Sequence, residues 1–163
     1  MTRLLTVKGV FYTHLNSNLE IKESTIKDTS TVSNESSEVM PIRIQNKSFL
    51  ALRNTLVESS ANNAIKVARN SGLLVGSGVT IKSVNYQAIH VIKNSYLELG
   101  GVTSSNEISI NRIDNGDDII IQGLSYMLVK ANNNVESIYC SQKGFFEIWN
   151  GASVENLNSN CQW

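Results

Sequence analysis

The sequence predicts a single all-β domain built as a solenoid, with about six coils of about 23 residues and three short strands in each coil. Three observations carry this. A serine-led motif returns at a nearly fixed interval, an aliphatic pair precedes it at a constant offset, and a third short apolar segment follows it. At 163 residues the chain is long enough for one domain with a substantial core.

The serine motif comes first. Asn70-Ser71-Gly72-Leu73-Leu74-Val75 matches Asn94-Ser95-Tyr96-Leu97-Glu98-Leu99, Lys47-Ser48-Phe49-Leu50-Ala51-Leu52 and Asn16-Ser17-Asn18-Leu19-Glu20-Ile21. The motif serines are Ser17, Ser48, Ser71 and Ser95, so the last two steps are nearly equal and only the first is long. The excess in the first step falls in the polar stretch Thr29 to Met40, which reads as a loop inserted into one coil. The aliphatic pairs are Ile42/Ile44, Ile65/Val67 and Ile89/Val91, each spaced by a polar residue: Arg43, Lys66 and His90. That period of two marks a strand with one buried face. The third strand is clearest at Val79-Thr80-Ile81, with counterparts at Leu56-Val57 and Val102-Thr103. The pattern continues through Ile108–Ile110, Ile119–Ile121, Met127–Val129 and Val135–Ile138, and closes at Gly144-Phe145-Phe146-Glu147-Ile148. The weighed alternative is a helix over Asn54 to Arg69, which would break the register and carries Ser59-Ser60 and Asn62-Asn63 within it.

With this period and alternation, the chain resembles the right-handed parallel β-helix family, the pectate-lyase-like solenoids, over about residues 11 to 157. The resemblance implies residues 1–10 as an N-terminal cap, 11–157 as coils with the inserted loop 29–40, and 158–163 as a C-terminal tail. It also implies like side chains stacked on like, and the expected columns are Leu50, Leu73, Leu97, Ile119, Phe146 and Leu52, Val75, Leu99, Ile121, Ile148. Asn70 and Asn94 take equivalent turn positions, suited to a left-handed backbone and to an amide ladder between coils. Cys140 and Cys161 are separated in sequence by close to one coil. They bridge if the terminal segment continues the solenoid, and stay free if it turns away.

Composition narrows function. Hydrophobic residues make up 41% and charged residues 17%, with polarity supplied by 20 Asn and 21 Ser, which excludes ordinary disorder. With 14 basic against 14 acidic residues there is no overall charge to hold a phosphate backbone, so nucleic acid is not an expected partner. No apolar run reaches spanning length, so no membrane span is expected, and residues 1–8 lack the apolar core of a secretory signal. His14 and His90 have no ligand-spaced partner, so neither a metal nor a cofactor is expected.

Asp114, Asp117 and Asp118 form the only close carboxylate group and are the weak catalytic candidates, although Asp114-Asn115-Gly116-Asp117 also has the composition of a tight turn. His90 shares an outer face with Arg43 and Lys66, which reads either as a groove for an acidic sugar or as a solvated strand face. Tyr86, His90, Tyr139, Trp149 and Trp163 are candidates for stacking on glycans. Ala51, Leu74 and Ile120, flanked by Phe49, Tyr96 and Phe145, form an outward apolar stripe expected to meet another chain or to be covered by the chain's own loop or tail.

The functional expectation is a non-enzymatic structural and receptor-binding module of a phage tail spike or tail fibre. It would act as a homo-oligomer, a trimer by preference, contacting cell-surface polysaccharide from the virion or the cell exterior. The alternatives are a polysaccharide lyase or glycoside hydrolase on the same scaffold, and a secreted adhesin or filament subunit.

Overall fold

The computed structural model describes residues 3–6, 11–28, 40–100, 108–113, 116–130, 133–135, 137–149, 152 and 161. All regular secondary structure among them is strand, arranged in three six-stranded parallel sheets. Sheet I contains β1 (Arg3–Thr6), β4 (Ser24–Asp28), β7 (Leu56–Ser59), β10 (Thr80–Ser83), β13 (Ile108–Arg112) and β16 (Asn133–Val135). Sheet II contains β2 (Phe11–Thr13), β5 (Ile42–Ile44), β8 (Ile65–Ala68), β11 (Ile89–Ile92), β14 (Ile119–Gln122) and β17 (Ile138–Ser141). Sheet III contains β3 (Asn18–Lys22), β6 (Phe49–Arg53), β9 (Gly72–Val75), β12 (Tyr96–Leu99), β15 (Tyr126–Val129) and β18 (Phe145–Ile148). The chain visits sheets II, III and I in turn, so each strand pairs with the strand three places on in sequence. This is the arrangement of a parallel β-solenoid. The segment Asn54 to Arg69 holds β7 and β8, not a helix.

The alternation seen in the sequence becomes an inner and an outer face. Sheet II turns Ile42, Ile65, Ile89, Ile119 and Ile138 inward in one register-matched row, all fully buried. Sheet III contributes Leu50, Leu73, Leu97, Met127 and Phe146, with Leu52, Val75, Leu99 and Val129 alongside. Sheet I closes the core with Ile26, Val57, Ile81, Ile110 and Val135. Burial of each such side chain stabilises the fold by about 1.5–3 kcal/mol relative to exposure.

Two expected columns need correction. Ile119 and Ile121 pair with Ile89 and Val91 of sheet II, and Met127 and Val129 take the places assigned to them beside Leu97 and Leu99. The cause is a long step between Ser95 and Ser125, with positions 101–107 inside it, which puts the next serine motif at Ser125-Tyr126-Met127.

The corner between sheets II and III is the most regular part of the molecule. Two successive residues with positive φ precede each serine: Leu15-Asn16 (58°, 58°), Asn46-Lys47 (59°, 62°), Arg69-Asn70 (58°, 61°) and Lys93-Asn94 (59°, 57°). Asn tolerates this left-handed region better than most side chains, which accounts for its recurrence here. The N–H groups of Asn16, Lys47, Asn70 and Asn94 donate to the carbonyls of Asn46, Arg69, Lys93 and Gly123 one coil on, at 2.9–3.2 Å. Beside them runs a serine ladder. The N–H groups of Ser17, Ser48, Ser71 and Ser95 donate to the Oγ atoms of Ser48, Ser71, Ser95 and Ser125, at 3.1–3.4 Å. Backbone and serine hydroxyls thus make the regular coil-to-coil bonds at this corner, and an asparagine amide joins them at Asn46, whose Nδ2 lies 2.6 Å from His14 Nε2 one coil back.

At the far end Gly144 replaces the serine, because a Cβ there would lie 2.4 Å from the Ile121 carbonyl oxygen. Cys140 and Cys161 form a disulfide, so of the two open alternatives the bridge is realised. Cys140 continues the inner row of Ile121, and Cys161 is also buried. Asp118, 2% exposed, secures the neighbouring corner. Its Oδ1 and Oδ2 accept from the N–H groups of Arg112 (2.6 Å) and Ser137 (3.1 Å), and its own N–H donates to Ser137 Oγ (2.9 Å). The inserted loop 29–39, Val102-Thr103 and the tail other than Cys161 lie outside the described residues.

Ser71→Ala leaves the buried N–H of Ser48 without its acceptor and is expected to lower unfolding stability by about 1–3 kcal/mol, measured by denaturant unfolding. Gly144→Ser, which on paper extends the ladder, is expected to destabilise by a similar ~1–3 kcal/mol because it collides with backbone.

Candidate functional site

Outward positions of sheet III form two register-matched rows. One runs Asn18, Phe49, Gly72, Tyr96, Tyr126, Phe145, and the other Glu20, Ala51, Leu74, Glu98, Leu128, Glu147. From Phe49 onward the first is an aromatic ladder with one gap, at Gly72. The Phe49 ring fills that gap: a Cβ at residue 72 would lie 2.8 Å from Phe49 Cδ2 and 3.9 Å from Tyr96 Cδ1. Tyr96 and Tyr126 stack with ring centroids 5.6 Å apart and planes inclined by 11°. Parallel strands one ladder step apart impose this geometry, since identical side chains in register sit about 4.8 Å apart.

Carboxylates fix the rings. Tyr96 Oη donates to Glu98 Oε2 at 2.6 Å, Tyr126 Oη donates to Glu147 Oε2, and Trp149 Nε1 donates to Glu147 Oε1 at 2.6 Å. Lys130 Nζ lies 2.9 Å from Glu98 Oε1 and 5.2 Å from the centroid of the Trp149 ring, a cation–π contact. Beyond the stack lies a hollow of about 290 Å³ lined by Tyr126, Phe145, Phe146, Glu147 and Ile148. The result is an aromatic platform of stacked rings edged by two carboxylates, a lysine and a half-exposed indole.

The electrostatics follow from the same contacts. Burial, then the Glu147 carboxylate, pushes the Tyr126 hydroxyl up to about 12. Burial, then Glu98, raises Tyr96 further. Burial opposes ionisation of Glu98, but the Tyr96 hydroxyl and Lys130 outweigh it and hold the carboxyl below its usual range. The hydroxyl of Tyr126 and the indole of Trp149 do the same for Glu147. Both carboxyls are therefore anions near neutral pH, and both phenols are neutral donors.

The sequence-predicted residues fall in several places. Phe49, Ala51, Leu74, Tyr96 and Phe145 share the outer face of sheet III, with Trp149 at the end of β18. Ile120 does not join them; it lies on sheet II between His90 and Tyr139, the same displacement that moved Ile119 and Ile121. The apolar stripe is thus broken, and Ala51 and Leu128 on it are only 8% and 7% exposed within the chain itself. His90 and Tyr139 stand on the outer face of sheet II, His90 Nε2 lying 3.1 Å from Gln122 Oε1. Tyr86 is half-buried at the corner before β11, its N–H donating to Ser83 Oγ at 3.4 Å. Asp118 has both oxygens engaged by backbone donors, Asp117 is partly exposed beside it, and Asp114 and Trp163 lie outside the described residues. Of these candidates the structure thus places Tyr86, His90 and Tyr139 on or beside sheet II and Trp149 beside sheet III, and of the aspartates it describes only Asp117 and Asp118.

Tyr126, Glu98, Glu147 and Lys130 were not singled out by sequence. A signal existed: Ser125-Tyr126-Met127-Leu128 repeats Ser95-Tyr96-Leu97-Glu98, but after a longer step than those from Ser48 to Ser71 and from Ser71 to Ser95. Among the described residues no group of three or more His, Cys, Asp or Glu side chains could hold a metal ion, and no helix is long and apolar enough to cross a membrane. No protein-family model, curated protein or solved structure matches the chain.

The platform has a defined pH signature. Carboxyls with lowered pKa stabilise the fold above their unfolded values, and that contribution is lost as pH falls through the folded ones. Trp149 fluorescence in a Trp163→Phe background is expected to hold steady to below pH 4.5, the ordinary value for a glutamate, and to change only under stronger acid as Glu147 protonates. Raised phenols have the opposite sign: their contribution is complete below pH 10 and is lost as pH rises through about 12, so the Tyr126 phenolate band should emerge near pH 12 in an ultraviolet titration and move down in Glu147→Gln.

Proposed function

We propose that this chain is a non-enzymatic structural and receptor-binding module, of the kind carried by a phage tail spike or tail fibre, that contacts cell-surface polysaccharide through the outer face of sheet III. The observation that carries the reading is the near-parallel Tyr96–Tyr126 stack bracketed by Glu98 and Glu147. Aromatic faces pack against the C–H faces of pyranose rings, and carboxylates and phenols at their margin pair with sugar hydroxyls. A rigid support keeps these groups in place without an ordering cost on binding. In this reading the three sheets wind as one right-handed parallel β-helix, the hand favoured for connections between parallel strands.

The ionisation of the platform favours binding over catalysis. Glycoside hydrolysis needs a carboxylic acid that still carries its proton near neutral pH, commonly through a raised pKa, whereas Glu98 and Glu147 are both lowered. The buried disulfide suits a protein that works in an oxidising setting, at a cell exterior or on a released particle. The module acts as one copy of a homotrimer in this reading.

The test is a glycan array, followed by calorimetry on the hits. Tyr126→Ala is expected to weaken binding roughly tenfold to a hundredfold, since loss of an aromatic anchor commonly costs about 1–3 kcal/mol. Unchanged affinity in that variant would remove the platform from the function. Release of reducing ends from the bound glycan, abolished by Asp117→Asn, would replace the binding reading with a hydrolase. A light-scattering mass of a monomer would remove the trimer.

A further inference from the structure

Strand β18 carries two aromatic side chains in succession, Phe145 on the outer row of sheet III and Phe146 in the core. Phe145 is the register partner of Tyr126, so the two stand one coil apart on the same face. The hollow of about 290 Å³ beyond the tyrosine stack is lined by Tyr126, Phe145, Phe146, Glu147 and Ile148. Ligand pockets usually run to roughly 300–1,000 Å³, so a hollow at the small end of that range suits one chemical group and not a length of polymer. Its walls are three aromatic rings and an isoleucine, and its single charge is a carboxylate.

That charge is not cancelled. Lys130 Nζ, 2.9 Å from Glu98 Oε1, neutralises Glu98, whereas among the described residues no Lys or Arg forms an ion pair with Glu147. Glu147 is exposed, and the hydroxyl of Tyr126 and the indole of Trp149 hold it ionised. Each of its oxygens already accepts one of these bonds, Oε2 from Tyr126 and Oε1 from Trp149. Aromatic faces attract cations through the ring quadrupole, so the rings and the carboxylate act in the same sense. Lys130 shows this chemistry next door, its ammonium lying against Glu98 and 5.2 Å from the centroid of the Trp149 ring.

We propose that the hollow lined by Tyr126, Phe145 and Glu147 binds a quaternary ammonium group, the trimethylammonium head of choline being the simplest case. The lining decides among cations. A primary ammonium is a compact, strongly hydrated charge with three N–H donors, and the hollow offers it one carboxylate whose two oxygens are engaged. Stripping its water is therefore costly. A trimethylammonium has no N–H to satisfy. Its methyl groups pack against Phe145, Phe146 and Ile148 while Glu147 and the ring faces stabilise its charge. A neutral molecule of the same shape gains the packing alone, and an anion is repelled by Glu147. The ligand is not a sugar, so the inference does not depend on the glycan contact proposed for the stacked tyrosines.

The experiment titrates the full chain with choline at low salt, using calorimetry and saturation-transfer NMR. The comparison ligands are dimethylbutanol, the uncharged carbon isostere of choline, and ethanolamine, the primary ammonium. Choline is expected to bind roughly tenfold more tightly than either. Glu147→Gln retains an acceptor for Tyr126 and removes the charge, and is expected to weaken choline roughly tenfold while leaving the isostere unchanged. Phe145→Leu should weaken choline several-fold through loss of a ring. Glu20→Gln makes the same charge change at the far end of the same outer row and should leave the affinity within about twofold. Thermal melts establish that each variant is folded, and the comparison of choline with its isostere needs no variant. Capture of the chain by phosphatidylcholine vesicles identifies a membrane headgroup as the source, capture by phosphocholine-conjugated albumin a group presented on a polymer, and binding of free choline alone a soluble compound. Absence of choline binding, equal binding of the isostere or of ethanolamine, or an equal loss in Glu147→Gln and Glu20→Gln each overturns the inference. Choline is titrated with no glycan present, so this site and the glycan platform can fail separately.

Discussion

Coil-to-coil registration at the corner between sheets II and III is the constraint on which everything else depends. A parallel strand pair fixes which residues are neighbours, and a slip of one residue would send every inward side chain out. The pairs of left-handed residues and the serine hydroxyls that follow them set that register at the same point in successive coils. Their bonds lie in a buried environment, where an unsatisfied N–H is costly, so misregistered stacking is penalised at each level. The inner rows of Ile, Leu and Val then supply the bulk of the stabilisation, and the outer rows inherit their alignment.

That inheritance gives the surface its chemistry. No residue of the platform is near another in sequence except through short hops such as Tyr96 to Glu98. Tyr96 meets Tyr126, and Tyr126 meets Glu147, because each coil returns to the same azimuth. The outer row of sheet II arises identically: Arg43, Lys66 and His90 are brought together by the ladder alone. A solenoid thus turns a one-dimensional repeat into vertical stripes of like chemistry, such as the aromatic stripe of sheet III.

The strands were legible wherever the period held. Ser17, Ser48, Ser71 and Ser95 identified sheet III through the first four coils, and the pairs beginning at Ile42, Ile65 and Ile89 identified sheet II in three of them. Legibility failed after Leu99, where positions 101–107 lengthen one coil and Gly123-Leu124 replaces the basic or Asn-containing turn. Apolar triplets such as Ile119–Ile121 and Met127–Val129 look alike in isolation, and only the corner that follows tells which sheet each belongs to. The candidate site suffered from the same ambiguity. Tyr96 and Phe145 were visible as outward aromatics, but their partner Tyr126 lay in the coil whose phase was misread. The disulfide was open for a different reason, since spacing of about one coil permits a bridge without requiring it.

The glycine at 72 shows how such an array tolerates an interruption. A missing side chain in a stacked row would ordinarily leave a notch, yet the ring one level down leans across and restores a continuous surface. The two positions are therefore not independent: bulk gained at one must be surrendered at the other. Drift along this lineage would be expected to exchange large and small residues between levels 49 and 72 while conserving their summed volume, so that the stripe survives changes in the letters that compose it.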